Sequence, residues 1–222
     1  MVLFLDTADA QAVKELSETL TVAGATTNPT IITKSGKAPE QVAEEMLAVL
    51  RPDQRFFMQV LAEDFEGIMA DARAICSLAP NMCVKIPVTP VGLRAIKAAK
   101  AEGMTVLATA IYSADEAFLA AMNGADYLAP YVNRMCNLGD GIQQVADLQQ
   151  MLTNYGLPAK ICAASFKNSL QVHELLCMGV GSVTIPPDVA WSMVKHPSTQ
   201  LAVDEFTTAW EQSFGRRTFA AL

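Results

Sequence analysis

The sequence predicts a closed (β/α)8 barrel, one α/β domain over residues 1–222 in which 198–222 form a C-terminal helical extension. Three observations point there. Short β-rich apolar runs alternate with longer stretches whose apolar residues recur every three or four positions. Strict alternation of this kind means parallel strands joined by right-handed helical crossovers. Eight such units share 222 residues, about 28 each, and that number favours a closed barrel over an open sheet. No Pro/Ser-rich linker or block of charge interrupts the series.

The first strand is expected at 2–6, an apolar run ending on Asp6, and the helix at 10–20 sets Val13, Leu16 and Leu20 on one face. The second strand, 24–28, ends on Asn28 before Pro29, a pair that reads as a turn. A helix over 39–50 leads to a strand at 55–60, which contains Gln59. A helix over 64–78 leads to the strand 83–87, which has Lys85 at its centre. The helix at 90–101 buries Leu93 and Ile96 and turns Lys97 and Lys100 outward. Strands at 105–110, 127–131, 160–165 and 182–185 follow, separated by helices at 113–123, 141–154 and 168–178 and closed by one at 188–194. Gly103, Gly124, Gly156 and Gly179 each stand between a helix and the next strand, where glycine ends helices. A last helix, 198–214, carries Val203, Phe206, Trp210 and Phe214 at spacings of three, four and four. That face packs either on its own barrel or on another subunit.

Charge narrows the function. Lys and Arg total 16 against 23 Asp and Glu, a net −7, so general binding of nucleic acid or anionic membrane is not expected. A local basic pocket for one small phosphate is compatible with that balance. Mean hydropathy is +0.25, yet no apolar run reaches the ~18 residues of a spanning helix. The surplus apolar surface is therefore expected in a core or an oligomer interface. The opening residues have no positive segment and no cleavage site, so no signal peptide is expected. Five cysteines without a CxxC pair point to free thiols, a reducing compartment and a cytoplasmic location. Cys83 and Cys162 read as small hydrophobes inside strands. Only two histidines occur, His173 and His196, which leaves little room for zinc sites or Ser-His and Cys-His nucleophiles. Neither a P-loop, a GxGxxG turn nor a carboxylate pair fit for a metal is present, so chemistry without cofactor or metal is expected.

The polar residues fall at strand ends. Asp6, Asn28, Gln59, Lys85, Thr109, Tyr131 and Ser165 each close an apolar run, and a parallel barrel brings all such ends to one rim, where barrel enzymes place their chemistry. Gln59, Lys85 and Tyr131 are poor helix caps, so capping does not explain them. A lysine inside an apolar strand is either ion-paired, with Asp6 for example, or a nucleophilic amine that forms a Schiff base with a carbonyl. Asp6 reads either as the cap of the next helix or as a proton carrier beside Lys85. Asn28 reads as a turn residue or a ligand for a hydroxyl, and Gln59 as a buried amide or a holder of water. Tyr131 is core aromatic or proton donor. Arg134 and Ser165 follow late strands, where barrels commonly bind phosphate, although Arg134 equally suits a surface ion pair. Lys167 reads as solvated.

Several pieces together carry a resemblance. They are Leu5-Asp6-Thr7, Thr26-Thr27-Asn28-Pro29, Gln59-Val60, Val84-Lys85-Ile86-Pro87-Val88-Thr89, Gly92-Leu93, Ala129-Pro130-Tyr131-Val132-Asn133-Arg134, Ala163-Ala164-Ser165-Phe166-Lys167 and Phe214-Gly215. In this order the chain resembles the transaldolase family, in particular its short branch, the fructose-6-phosphate aldolases. The resemblance implies a TIM barrel of class I aldolase type with Lys85 as the Schiff-base lysine. It implies that Thr109, Gln59 and Tyr131 hold a catalytic water and move protons, with Asp6 assisting. Asn28, with Thr27, would bind the donor, and Arg134 and Ser165 the phosphate. The implied reaction is reversible cleavage of fructose 6-phosphate to dihydroxyacetone and glyceraldehyde 3-phosphate. The alternatives are transfer of a dihydroxyacetone unit between sugar phosphates and, in a different class, a non-catalytic sugar-phosphate-binding barrel. Family transaldolases carry Glu at the position of Gln59 and typically Phe at that of Tyr131, so both positions have the aldolase form. A sugar phosphate and a hydroxyketone are the implied small-molecule partners, and a homodecamer of two pentamers, its C-terminal helices reaching neighbours, the implied assembly. The loop 135–139 lacks the branch's usual glycine- and aspartate-rich stretch, and Pro186-Pro187 doubles its usual single proline.

Overall fold

The computed structural model describes residues 1–220, so the last two positions of the extension expected at 198–222 lie outside the described residues. Eight parallel strands close in sequence order: β1 (Val2–Asp6), β2 (Gly24–Thr26), β3 (Arg55–Gln59), β4 (Met82–Pro87), β5 (Val106–Ile111), β6 (Tyr127–Pro130), β7 (Lys160–Ala163) and β8 (Ser182–Ile185). Around them run α1 (Ala10–Thr19), α2 (Pro29–Ser35), α3 (Pro39–Val49), α4 (Phe65–Ser77), α5 (Pro90–Ala101), α6 (Ala114–Met122), α7 (Val132–Cys136), α8 (Gly141–Asn154), α9 (Ser169–Met178), α10 (Pro187–Val194) and α11 (Pro197–Phe214). The (β/α)8 barrel read from the sequence is the observed fold.

Two short helices were not expected. Asn28-Pro29 opens α2 rather than making a simple turn: Asn28 Oδ1 accepts the Ile31 amide at 3.0 Å, and Pro29 supplies a first helical residue that needs no donor. The second strand accordingly stops at Thr26, two residues short of the expected end. The five-residue α7 is too short for a helical period to register in sequence. Asp6 does not cap the first helix. Asp9 does, accepting the amides of Gln11 and Ala12. This frees Asp6 for the interior.

Period-two alternation sorts side chains into two packed layers. One lies between strands and helices and holds Leu5, Ala25, Met58, Val84, Ala108 and Leu128. The other fills the barrel with Phe4, Phe57, Cys83, Leu107, Tyr127, Ala129, Tyr131, Cys162 and Ala164. Phe4, Phe57 and Tyr127 meet edge to face at 5.5–6.0 Å between centroids. This aromatic cluster fills the barrel interior below the carboxyl ends of the strands.

Two features set those strand ends. Gly92 in the first turn of α5 sits against the carbonyl of Pro87, and a Cβ there would collide with it. The helix therefore packs directly on the end of the strand that carries Lys85. On β5, Ala110 takes a left-handed φ of 56°, and the pairing with β6 slips between Ala108 and Ile111. Such a bulge re-aims side chains at a barrel rim. Here Thr109 faces Tyr131, while Ile111 joins the outer layer.

The extension behaves differently from the other helices. No residue of α11 is buried, and Leu201, Phe206 and Phe214 are exposed. Trp210 stacks on Phe214 at 4.5 Å, and Phe219 folds back to 6.2 Å from it. Of the two placements open from the sequence, packing on its own barrel is not what this subunit shows. Among the described residues, no helix is long and apolar enough to cross a membrane.

Candidate active site

A cleft of about 230 Å³ opens at the carboxyl ends of the strands. Six residues singled out from the sequence line it: Asp6, Asn28, Lys85, Tyr131, Arg134 and Ser165. Gln59, Thr109 and Thr27 do not line it, but each is adjacent to a residue that does. Gln59 is the register partner of Lys85 across β3 and β4. Thr109 Oγ1 lies 3.2 Å from the Tyr131 hydroxyl. The carbonyl of Thr27 accepts a 2.7 Å hydrogen bond from Lys85 Nζ, while the Thr27 hydroxyl donates to the Phe57 carbonyl. Thr27 therefore reaches the site through its backbone.

Lys85 is only 2% exposed, and no carboxylate pairs with its amine at salt-bridge distance among the described residues. The ion pair with Asp6 that the sequence left open is not formed. A single carbonyl fixes the amine instead, and it faces the cleft. An amine in such surroundings can attack a carbonyl carbon and lose water to give an iminium.

Asp6 accepts from Thr26 Oγ1 at 2.7 Å, and that hydroxyl lies 2.7 Å from Thr184 Oγ1. Burial pushes the Asp6 carboxyl above its ordinary range. The positive charge of Lys85 and the Thr26 hydrogen bond oppose that shift without cancelling it. A carboxyl in this state can both take and return a proton beside the amine.

Tyr131 lines the cleft, whereas Gln59 is next to it as the register partner of Lys85. Tyr131 is buried, and among the described residues its phenol hydrogen-bonds only the Thr109 hydroxyl. Gln59 Oε1 is buried and accepts no hydrogen bond. A buried acceptor left without a protein partner favours a bound hydroxyl or water. Asn28 spends its oxygen on the cap of α2, so its amide NH2 is what remains for a ligand.

Loops after β6 and β7 bring in the cations. The Val132 amide bonds to the Ala164 carbonyl and the Asn133 amide to that of Ser165, which ties the two loops together. Ser165 pays for this with a left-handed φ of 64°. Arg134 donates to the Tyr112 hydroxyl at 3.0 Å, and its guanidinium stands 4.8 Å over the Tyr131 ring. Lys167, read from the sequence as solvated, lines the cleft, and so does Lys34 from α2. Neither makes a salt bridge among the described residues, nor does Arg134. Three cations besides Lys85 thus face one cleft of an acidic protein, a setting for phosphate. Sequence reasoning missed Lys34 and Tyr112. A short helix hid the first, and the second lies one residue past a strand end with nothing local to mark it.

The remaining candidates stay outside. Burial raises the Cys162 thiol to about 12 and Cys83 to about 11, so neither is a nucleophile. His173 sits near Cys177 on α9, and His196 caps α11. No group of three or more His, Cys, Asp or Glu side chains able to hold a metal gathers among the described residues.

Two comparisons with known proteins bear on the fold and the family. A solved structure, thiamine phosphate pyrophosphorylase from Pyrococcus furiosus, superposes with a TM-score of 0.59 over 86% of this chain and 91% of that one, at 19% identity. At that identity the likeness concerns the barrel alone. The family described as Transaldolase/Fructose-6-phosphate aldolase matches residues 3–219, a span that includes every residue of the cleft. With a parallel barrel and that near-complete match, the chain belongs to the transaldolase/fructose-6-phosphate aldolase family, and it is an enzyme of the aldolase or transaldolase type.

Proposed function

We propose that the protein is a Schiff-base aldolase that cleaves fructose 6-phosphate reversibly to dihydroxyacetone and glyceraldehyde 3-phosphate. The observation that carries this reading is the buried Lys85 amine, which makes no salt bridge among the described residues and lines the same cleft as Asp6 and Tyr131. A module that only binds sugar phosphate has no use for such an amine.

Lys85 Nζ attacks carbon 2 of the ketose, and the carbinolamine loses its hydroxyl as water, with Asp6 carrying the proton. The iminium then draws electrons from the bond between carbons 3 and 4. A water held by Tyr131, Thr109 and Gln59 takes the proton from the hydroxyl on carbon 4 and, relayed through the Tyr131 phenol, returns it at carbon 3 in the next step. That bond breaks and glyceraldehyde 3-phosphate departs. The enamine left on Lys85 takes a proton at carbon 3, water adds to carbon 2, and dihydroxyacetone leaves with the amine restored. Asn28 supports the donor through its amide, and Arg134, Ser165 and Lys167 hold the phosphate.

The second reading is transaldolase, in which the enamine passes to another aldose phosphate. Tyr131 and Gln59 favour the lyase. A phenol can shuttle a proton to and from water, and the Gln59 amide orients that water without ionising. The exposed face of α11 supports self-association, with a homodecamer of two pentamers as the assembly proposed. Five free thiols suit a cytoplasmic location. The test is a paired assay. Fructose 6-phosphate alone should yield free dihydroxyacetone, and adding erythrose 4-phosphate should yield little transfer product. Faster transfer than cleavage would make the protein a transaldolase.

A further inference from the structure

Arg134 does not stand free at the cleft. Its guanidinium donates to the Tyr112 hydroxyl at 3.0 Å and covers the Tyr131 ring at 4.8 Å, and the two tyrosine rings meet edge to face at 5.8 Å. Tyr112 in turn is fixed from behind. Its backbone amide donates at 2.8 Å to Glu116 Oε2, the same carboxylate that closes the capping box of α6 with Ser113. A continuous chain therefore runs from the start of α6 through Tyr112 and Arg134 to Tyr131 and Thr109. An arginine side chain at a protein surface ordinarily samples many rotamers, and ordering it on a ligand costs affinity. Here two aromatic partners order it before any ligand arrives. The Tyr112 contact also takes only one of the five guanidinium donors, leaving the rest for a phosphate.

We infer that Tyr112 is a positioning residue for phosphate recognition, acting through Arg134 to hold its guanidinium where the substrate's phosphate docks. This inference rests on the aldolase reading, because it assigns the phosphate of the aldehyde to Arg134. Tyr112 itself touches no substrate atom in this account and does not line the cleft. Its effect is confined to phosphorylated aldehydes. With a partner hydroxyl at a site 38% exposed, that effect is a modest one.

The experiment is a double-mutant cycle on the full chain: wild type, Tyr112→Phe, Arg134→Ala and the double variant. Each is assayed for synthesis from dihydroxyacetone with glyceraldehyde 3-phosphate and, separately, with unphosphorylated glyceraldehyde. Tyr112→Phe should raise KM for glyceraldehyde 3-phosphate about three- to tenfold, the size of a partly exposed hydrogen bond to a charged group. KM for glyceraldehyde should stay within about twofold, inside the scatter of a surface change. In the Arg134→Ala background the Tyr112 substitution should add less than about twofold, because its route is already gone. Equal losses with both aldehydes, an unchanged KM for the phosphorylated one, or the same penalty with and without Arg134 would each overturn the inference. Borohydride trapping of dihydroxyacetone on each variant separates the two levels of the account. Trapping that fails in wild type removes the aldolase reading. Trapping that succeeds in all four, without the KM split, removes only the role of Tyr112.

Discussion

Replacing Tyr131 by Phe removes one oxygen from the buried side of the cleft and leaves the ring. The ring's packing with Tyr112, and the guanidinium of Arg134 above it, have no reason to move. What is lost is the hydrogen bond to Thr109 Oγ1, and with it the partner of a hydroxyl that is fully buried. That loss costs about 1 kcal/mol of stability and lowers Tm by about 2–4 °C for a chain of this size. Against a total stability of about 5–15 kcal/mol, the variant remains folded at 25 °C. The catalytic loss should be larger. Without the phenol, the water beside Thr109 and Gln59 has no group to exchange protons with, and cleavage should fall by roughly 10²-fold. That is about 2.7 kcal/mol on the barrier, more than the stability change and separable from it. The assay follows glyceraldehyde 3-phosphate released from fructose 6-phosphate, beside a thermal melt of the same preparation. Formation of the Lys85 adduct should persist, because the amine and Asp6 are untouched. Full cleavage activity in Tyr131→Phe would refute the assignment of the proton carrier. Loss of activity matched by unfolding would refute the packing argument instead.

Two further predictions use other parts of the molecule. Burial raises the Asp6 pKa in the folded protein above its ordinary 3.8, so the folded state binds the proton more tightly than the unfolded chain does. Stability from this group is fully present below the unfolded value and is lost as pH rises through the folded one. Asp6→Asn should therefore melt higher than wild type at pH 7 and equally near pH 3, while losing activity; a variant less stable at pH 7 would contradict the burial argument. Removing the residues after Gln200 takes away most of α11, of which no residue is buried in this subunit and whose Leu201, Phe206 and Phe214 are exposed. Light scattering should report a smaller assembly, and an unchanged mass would exclude α11 from the subunit contacts.

The barrel and half of its site were legible because strand periodicity is strict. Gln59, Lys85, Thr109 and Tyr131 each stand an even number of positions from an interior core residue, namely Phe57, Cys83, Leu107 and Tyr127. Once the strands were placed, these four had to face inward. What was not legible depended on local geometry that sequence leaves degenerate. Asn-Pro begins a turn or a helix with equal ease, so α2, and Lys34 with it, leaves no mark in the sequence. Asp6 and Asp9 are both plausible caps, and only the path of the chain shows that the second is used. The left-handed Ser165 carries no glycine to announce it, since its strain is held by hydrogen bonds from a neighbouring loop. Tyr112 acts through a residue 22 positions away, and no spacing rule reaches that far.

The central claim is that Lys85 forms the covalent intermediate, and borohydride reduction in the presence of dihydroxyacetone tests it most directly. Intact mass should show one three-carbon unit added per chain, and peptide mapping should place it on Lys85. Lys85→Met should acquire no adduct and show no cleavage. An adduct on another lysine, or full activity in the Met variant, would contradict the account.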